Sequence, residues 1–463
     1  MSTFTVDRAL ALDGPGWLRR RRAEAFEEFA VTPLPSEKEE VWRYTPIDDL
    51  RLDDYVPASA PELGGALDAS GSAFVDSVLA DLPALGALVT VVDGCCVAVT
   101  RPSLPASVRV GGLDVLDGPG GQGDEECVLG RVLTGGDALV RLNDAFHPDV
   151  VVVDVPARVT LDLPVVVVHW CSTRAVGPES LFPARGWPAS FPRTLVRLGS
   201  GASAQVVEIV AGAPGGKGLV VPVVELAAGD GSQLSYAATQ VLGTDAWHIS
   251  RVAAVAGRDA TLRTFSVGLG GAYDRSRTDA LADGPGSTTE LRSAYLGTGA
   301  QVHDVRTLQD HAAAHTTSDL LCKGAVAGTS RSVYSGLIRV RRGAVRTNAF
   351  QTNHNLVLAE GAHADSVPNL DIQENDVRCS HASTVGPVNE DQRYYLESRG
   401  IPPARAEQLI VLGFFDDIVQ RSPVPALIPR LRRDVGLRLA EALELDLSAA
   451  ARRVGDREAS EHG

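Results

Sequence analysis

The sequence predicts a mainly β chain built around a β-solenoid, with helix-containing segments on either side. Two observations carry that prediction. From about 138 to 385, short β-branched runs such as VVVVDVPARVTLDLPVVVVHW alternate with glycine-rich turns, and no amphipathic helix stands out. Within this stretch a turn followed by alternating small, polar and apolar residues recurs at Gly201, Gly231, Arg258, Gly286, Ala312, Gly328, Gly343, Gly361 and Asp376. The successive starts differ by 30, 27, 28, 26, 16, 15, 18 and 15 residues. Strands repeating at such periods point to stacked coils. A sandwich also has short strands and frequent turns, but it does not need small polar residues to return at matching places.

Residues 1–130 read as a mixed, partly helical domain. WLRRRRAEAFEEF is an amphipathic helix candidate that must end near TPLP, where Pro33 and Pro35 forbid continuation. Its run Arg19 to Arg22 reads as a solvated face. LVTVVDGCCVAVT reads as a strand, on which Cys95 and Cys96 face opposite sides and make no ligand pair. Residues 131–386 form the expected solenoid.

Residues 387–447 read as a helical domain. Asn389 with Gln392 three residues on is a capping-box signal, and Gly400 closes that helix. Pro402 and Pro403 then suit the first turn of ARAEQLIVLGFFDDIVQ. Leu431, Val435, Leu439 and Leu443 form one apolar stripe on a third helix. The helices are expected to cap the solenoid, with the stripe packing on its end or docking a partner. Residues 448–463 are expected to be a disordered tail.

At 463 residues with 44% hydrophobic content, the chain can bury a sizeable core. A net charge of −15 and no long basic block argue against nucleic acid as a partner. The first twenty residues lack a signal-peptide apolar run and no later run suits a membrane helix, so a cytoplasmic location is the default expectation. The six cysteines, Cys95, Cys96, Cys127, Cys171, Cys322 and Cys379, show no CxxC spacing. The first five read as small buried hydrophobes.

Several catalytic signatures fail. GAPGGKG at Gly212 puts Gly218 where a phosphate loop needs Ser or Thr, so this chain is not expected to bind nucleotide itself. GLGG at Gly268 and GTG at Gly299 lack the third glycine of a dinucleotide fingerprint, and no GxSxG elbow is present. HAAAH spaces His311 and His315 by four but lacks the glutamate of HExxH; on a strand both would face one side, and the expected role is structural hydrogen bonding. There remains NDVRCSHASTVG. On a strand Cys379 and His381 point to the same face, about 7 Å apart. A thiolate and an imidazole suit iron, copper or zinc. An iron–sulfur site usually takes four ligands, so two suffice only if another chain supplies the rest. A buried Cys beside a satisfied His is the plain alternative.

The string GAHADSVPNLDIQENDVRCSHASTVGPVNEDQRYYLESRGIPPARAEQLIVLGFF, Gly361 to Phe415, resembles the most characteristic segment of the SufB/SufD family of iron–sulfur cluster assembly scaffolds. PLPSEKEEVWRYTPIDDL from Pro33 and HTTSDLLCKGAVAGTSRSVYSGLIRV from His315 are similar to two further family segments, in order along the chain. CSHASTVG, the WRYT stretch and Ala362, where SufB is expected to carry its sulfur-accepting cysteine, are similar to the SufD branch; a SufB-type paralogue is the alternative.

That resemblance implies a right-handed parallel β-helix between an amino-terminal domain rich in helix and a carboxy-terminal helical domain. It implies a non-catalytic subunit that pairs with SufB and docks the ATPase SufC, with sulfur-donor proteins acting indirectly and a homodimer forming in isolation. It places His381, with Cys379, at the interface where a transient cluster forms and His381 serves as a shared metal ligand. It points to Arg399, Arg405, Gln408, Leu409 and Phe414 as contacts for the ATPase, and to reduced flavin as a cofactor of the whole complex. A solenoid enzyme acting on carbohydrate is the reading from another class, disfavoured by 5% aromatic content and the lack of a signal peptide.

Overall fold

The computed structural model describes residues 3–58, 67–116, 129–172 and 186–443. The expected tail and Cys127 lie outside them. The centre is a β-solenoid of two facing sheets, each turn giving one strand to each sheet. The first sheet runs through Val151–Val155, Arg193–Leu198, Val223–Ala228, Trp247–Ala256, Tyr273–Ala282, Val302–His311, Arg331–Val340 and His363–Ile372. The second begins at Ala87–Val92 and Val165–Cys171 and continues through Ser203–Gly212, Gln233–Val241, Thr261–Gly268, Thr288–Gly297, Thr317–Val326, Asn348–Val357 and Arg378–Gly386. Along both series neighbouring strands are parallel. Among the described residues antiparallel pairing is confined to Ala87–Val92 with Cys95–Thr100 and Arg109–Gly111 with Val151–Val155.

The two spacings in the sequence now separate. The starts at Gly201, Gly231, Arg258 and Gly286 each precede a strand of the second sheet, so the longer interval is a full turn. From Ala312 onward the starts alternate between sheets, and the shorter interval is half a turn. Four first-sheet strands in this span, Val223–Ala228, Trp247–Ala256, Tyr273–Ala282 and Val302–His311, are missing from the count, although the last follows a turn of the recurring kind at Gly299, φ +56°.

The interior of the early turns is apolar, filled by Val153, Val167, Val196, Val206, Leu226, Leu234 and Leu262. Later turns become polar inside. Ser266, Ser293, Cys322, Asn353 and Ser383 follow one another in register on successive strands of the second sheet. Tyr295 crosses this space to hydrogen-bond Asn355, which Gly324 permits because a Cβ there would overlap the Tyr295 ring.

Outside the solenoid the helices depart from expectation in two ways. Helix Ala138–Phe146, capped by Asp137, falls inside the stretch read as wholly β; nine residues are too few for a convincing period. Of the carboxy-terminal helices, Glu390–Ser398 packs on the next helix, while Pro403–Val419 and residues 428–443 do not cap the solenoid end but lie along its flank. Val411, Phe415, Ile418, Leu431, Val435 and Leu439 share one apolar cluster with Ile209, Phe265, Leu296 and Leu321 on the outer face of the second sheet. Lys323 fixes the junction by donating to Phe414 O at 3.0 Å and pairing with Asp417 at 2.7 Å. The cap signals held: the Asn389 side chain accepts from Gln392 N, and Gly400 adopts φ +83°.

The amino-terminal region is clamped to the outer face of the first sheet. Arg275 lies 3.6 Å over the Trp42 ring and donates to Val41 O, while Arg306 donates to Arg43 O. Helix Gly16–Val31 holds the arginine run, and only part of it is solvated. Arg19 and Arg20 are exposed, but Arg22 is fully buried and donates to the carbonyls of Leu12, Asp13, His147 and Pro148. Burial lowers its guanidinium to about 10, which still leaves it charged at neutral pH. His311 and His315 also part company. His311 is buried between the Thr316 and Ser318 hydroxyls at 2.7 and 2.8 Å, whereas His315 is exposed in a turn at φ +61°. The structural role expected of His311 is what it has, and the pair does not share a face.

Arg22→Met removes the donor of four carbonyls, of which that of His147 belongs to a buried residue, and is expected to cost about 1–3 kcal/mol in a denaturant titration. Burial also lowers His311 to about 4 and His147 to about 3, so both are neutral in the fold. Depressed pKa values give stability that is present above the unfolded value of about 6.5 and lost as pH falls through the folded values, worth about 3 kcal/mol for His311. Unfolding free energy measured from pH 7 to 4 should therefore fall, and less steeply in His311→Asn.

Candidate functional site

Among the described residues nothing is stacked on the last turn of the solenoid. Strands His363–Ile372 and Arg378–Gly386 each pair on one side only, with Arg331–Val340 and Asn348–Val357. One turn earlier, the inward residues Ala349, Gln351, Asn353 and Asn355 are all buried. Their register partners Cys379, His381, Ser383 and Val385 therefore face the same interior, at its open mouth. The opposite wall is built likewise. Ser366, Pro368, Leu370 and Ile372 continue the buried columns of Tyr334, Gly336, Ile338 and Val340. Leu370, Ile372 and Val385 are exposed only because no further turn covers them.

Local contacts hold this mouth in shape. Ser383 Oγ donates to Ser366 Oγ at 2.6 Å, and Ser366 Oγ to Asn353 Oδ1 at 2.8 Å, tying the two walls together beside His381. The turn before the Cys–Ser–His strand is set by Glu374, whose carboxylate accepts from the amides of Gly343 and Asn375; those amide bonds, Asn375 first, hold its pKa below the usual range.

Cys379 and His381 share one face of one strand, as their spacing predicts. His381 is exposed, while Cys379 is half-buried against Ile338, Val340, Ala344 and Ala349. Burial raises the Cys379 thiol above its ordinary value, partly offset by the Ala349 amide, so it is a thiol at neutral pH and gives up a proton on binding a metal. Cys322, deeper in the same interior, is fully buried and pushed up to about 12, far from a nucleophile. Among the described residues no group of three or more His, Cys, Asp or Glu side chains is placed to hold a metal. The chain thus offers two candidate ligands and an apolar rim.

The other predicted contact residues sit on the carboxy-terminal helices. Arg399 is exposed, its guanidinium 5.1 Å from the Tyr395 ring centre; Arg405 is exposed and donates to Gln408 at 2.5 Å; Leu409 is exposed. Phe414 differs. It packs on Phe415 and under the Lys323 ammonium, on the side that faces the solenoid. Tyr394 and Tyr395 are the large exposed rings here, and a shallow groove is lined by Asp391, Gln392, Tyr395, Leu396 and Ile410. Sequence reading did not single out these residues, nor Gln351, Asn353, Ser366 and Leu370 at the mouth. The turn-to-turn register that places Gln351 beneath His381 was the signal that could have found them. No helix among the described residues is long and apolar enough to cross a membrane.

Comparison with known proteins gives two family matches. Residues 182–414 match the SUF system FeS cluster assembly SufBD core domain, and residues 7–167 match the SufBD protein N-terminal region. The chain is 26% identical to the iron–sulfur cluster assembly protein SufD of Escherichia coli, over 89% of this chain and 91% of that protein. It is 31% identical to SufD of Bacillus subtilis over 45% and 48% of the two chains, and 38% identical to a SufBD family protein of Mycobacterium bovis over 47% and 56%. The chain thus spans about half the length of that mycobacterial relative. Each of these relatives is named for assembly, none for an enzymatic activity.

On alkylation of the folded chain at pH 8, Cys379 is expected to react more slowly than a free thiol and Cys322 only after denaturation; peptide mapping by mass spectrometry reads both rates.

Proposed function

Because this chain belongs to the SufBD family of the SUF iron–sulfur cluster assembly system, we propose that it is a SufD-like scaffold subunit whose open mouth is the assembly surface. A SufB-like chain docks on that end and supplies the cluster ligands that this chain lacks. The observation that carries the reading is the exposure of His381 on an inward-facing column of an uncovered turn. Two unpaired strand edges invite backbone pairing with another chain, and Leu370, Ile372 and Val385 provide apolar surface to bury around it.

The chemistry follows from the side chains. An imidazole nitrogen of His381 ligates iron delivered as cargo, and Cys379 is placed to join as a thiolate. Sulfur reaches the site through the partner, from sulfur-donor proteins, and a reduced flavin serves the complex rather than this chain. An ABC-type ATPase of the SufC kind docks on the exposed surface of Tyr394, Tyr395, Arg399, Arg405 and Leu409. Phe414 belongs to the anchor rather than the docking face. Residues 403–443 share an apolar cluster and the Lys323 contacts with the second sheet, so movement of the ATPase pulls helices and solenoid together. Strain is then delivered to the mouth as a rigid-body displacement. The protein works in the cytoplasm and is not itself a catalyst.

His381→Ala should abolish cluster formation in the reconstituted complex, followed by visible absorption under anaerobic conditions, while the complex stays intact on native mass spectrometry. Dissociation of the complex by that substitution would instead mark His381 as structural.

A further inference from the structure

Directly beneath His381 in the ladder lies Gln351, on the last fully covered turn. It is 1% exposed, yet its Nε2 has no hydrogen-bond partner. A buried amide donor left unpaired destabilises the fold, and a leucine in the same space avoids that cost. Its surroundings are also built around it. Gly336 on the opposite wall has no room for a Cβ, which would stand 2.5 Å from Gln351 Oε1 and against the Tyr334 hydroxyl. The Tyr334 hydroxyl donates to Gln351 Oε1 at 3.4 Å and lies 3.4 Å from Thr307 Oγ1.

Turning the carboxamide by half a rotation gives Nε2 a partner and leaves Oε1 as the atom to be satisfied. Nε2 then donates to the Tyr334 oxygen, and the Tyr334 hydroxyl donates to Thr307. Oε1 then takes the unpaired position; no ring nitrogen of His381 lies within hydrogen-bond distance of it here, and the exposed ring has to rotate down across the roughly 4.8 Å between stacked strands to meet it. The ring N–H of His381 is the donor Oε1 needs, and a histidine that gives one ring proton to a carbonyl presents its other nitrogen bare to a metal.

We propose that Gln351 is the positioning residue of the mouth: its carboxamide oxygen selects the imidazole tautomer of His381 and turns the unprotonated nitrogen outward. The proposal rests on the scaffold reading for the purpose of that nitrogen, but the tautomer itself is a property of this chain alone. A competing arrangement exists, since Gln309 Oε1 is also unpartnered nearby, its Nε2 being held by Ser318 and the Phe350 carbonyl. If Gln351 turns to Gln309 instead, His381 is left without a selected tautomer.

The test is nitrogen NMR of the full chain with labelled imidazoles at pH 8, comparing the parent with Gln351→Leu, Gln351→Glu and Gln309→Leu. One dominant His381 tautomer is expected in the parent, in Gln351→Glu, which keeps an acceptor oxygen, and in Gln309→Leu. Gln351→Leu should shift both ring nitrogens of His381 toward the averaged values of a free imidazole. In the reconstituted complex it should also weaken iron binding at the mouth about 10- to 100-fold. Ring shifts of His381 that are the same in the parent and Gln351→Leu, or that move only in Gln309→Leu, overturn the proposal whatever happens to assembly. Failure of the scaffold reading is seen separately, as unimpaired assembly in His381→Ala.

Discussion

Parallel, in-register stacking is the constraint on which the molecule depends. The strands of an inner turn pair with those of the turns on either side, and the inward side chains along them rest on their counterparts one turn earlier. A stack of this kind cannot terminate without leaving one turn half satisfied. Its last strands, His363–Ile372 and Arg378–Gly386, therefore carry free edges, and the side chains that would be core in any other turn stand in solvent. A parallel solenoid that is to hold a reactive group at a surface, in a frame as rigid as its own core, has its end as the natural place to do so.

The described elements outside the solenoid leave this end open. The amino-terminal segment is held against the first sheet by Arg275 and Arg306 through backbone carbonyls, and the carboxy-terminal helices are fused to the second sheet through the cluster around Phe415 and Leu431. Arg22 and Lys323 show how buried cations are tolerated in these joints, the first by four carbonyls, the second by one carbonyl and a carboxylate. None of these elements crosses the mouth. The change of the interior from valine and leucine to serine, asparagine and glutamine along the same axis keeps the buried groups next to the open end capable of hydrogen bonding.

Local features were legible where the physics is local. Cap residues Asn389 and Gly400, the proline entry at Pro402 and Pro403, and the stop before Pro33 depend on a few neighbouring residues and behave as read. The arginine run shows the opposite case. Nothing in its neighbours separates Arg20, in solvent, from Arg22, whose partners include carbonyls of His147 and Pro148 on a distant segment. The irregular spacing of the repeats has the same cause: the period belongs to the stack, and the turns that announce it differ from strand to strand.

By itself, the sequence determined that the chain is a β-solenoid with flanking helices, that Cys379 and His381 share one face of a strand, and that its motifs are those of the SufBD family, because strand parity, turn chemistry and motif order are written along the chain. Only the tertiary structure decided which face of that strand looks inward, that the helices flank the stack rather than cover its end, and that Gln351 lies beneath His381. Those depend on which turn rests on which and on what is absent beyond the last one. Contacts between residues some thirty positions apart have no signature in either neighbourhood until the register is known.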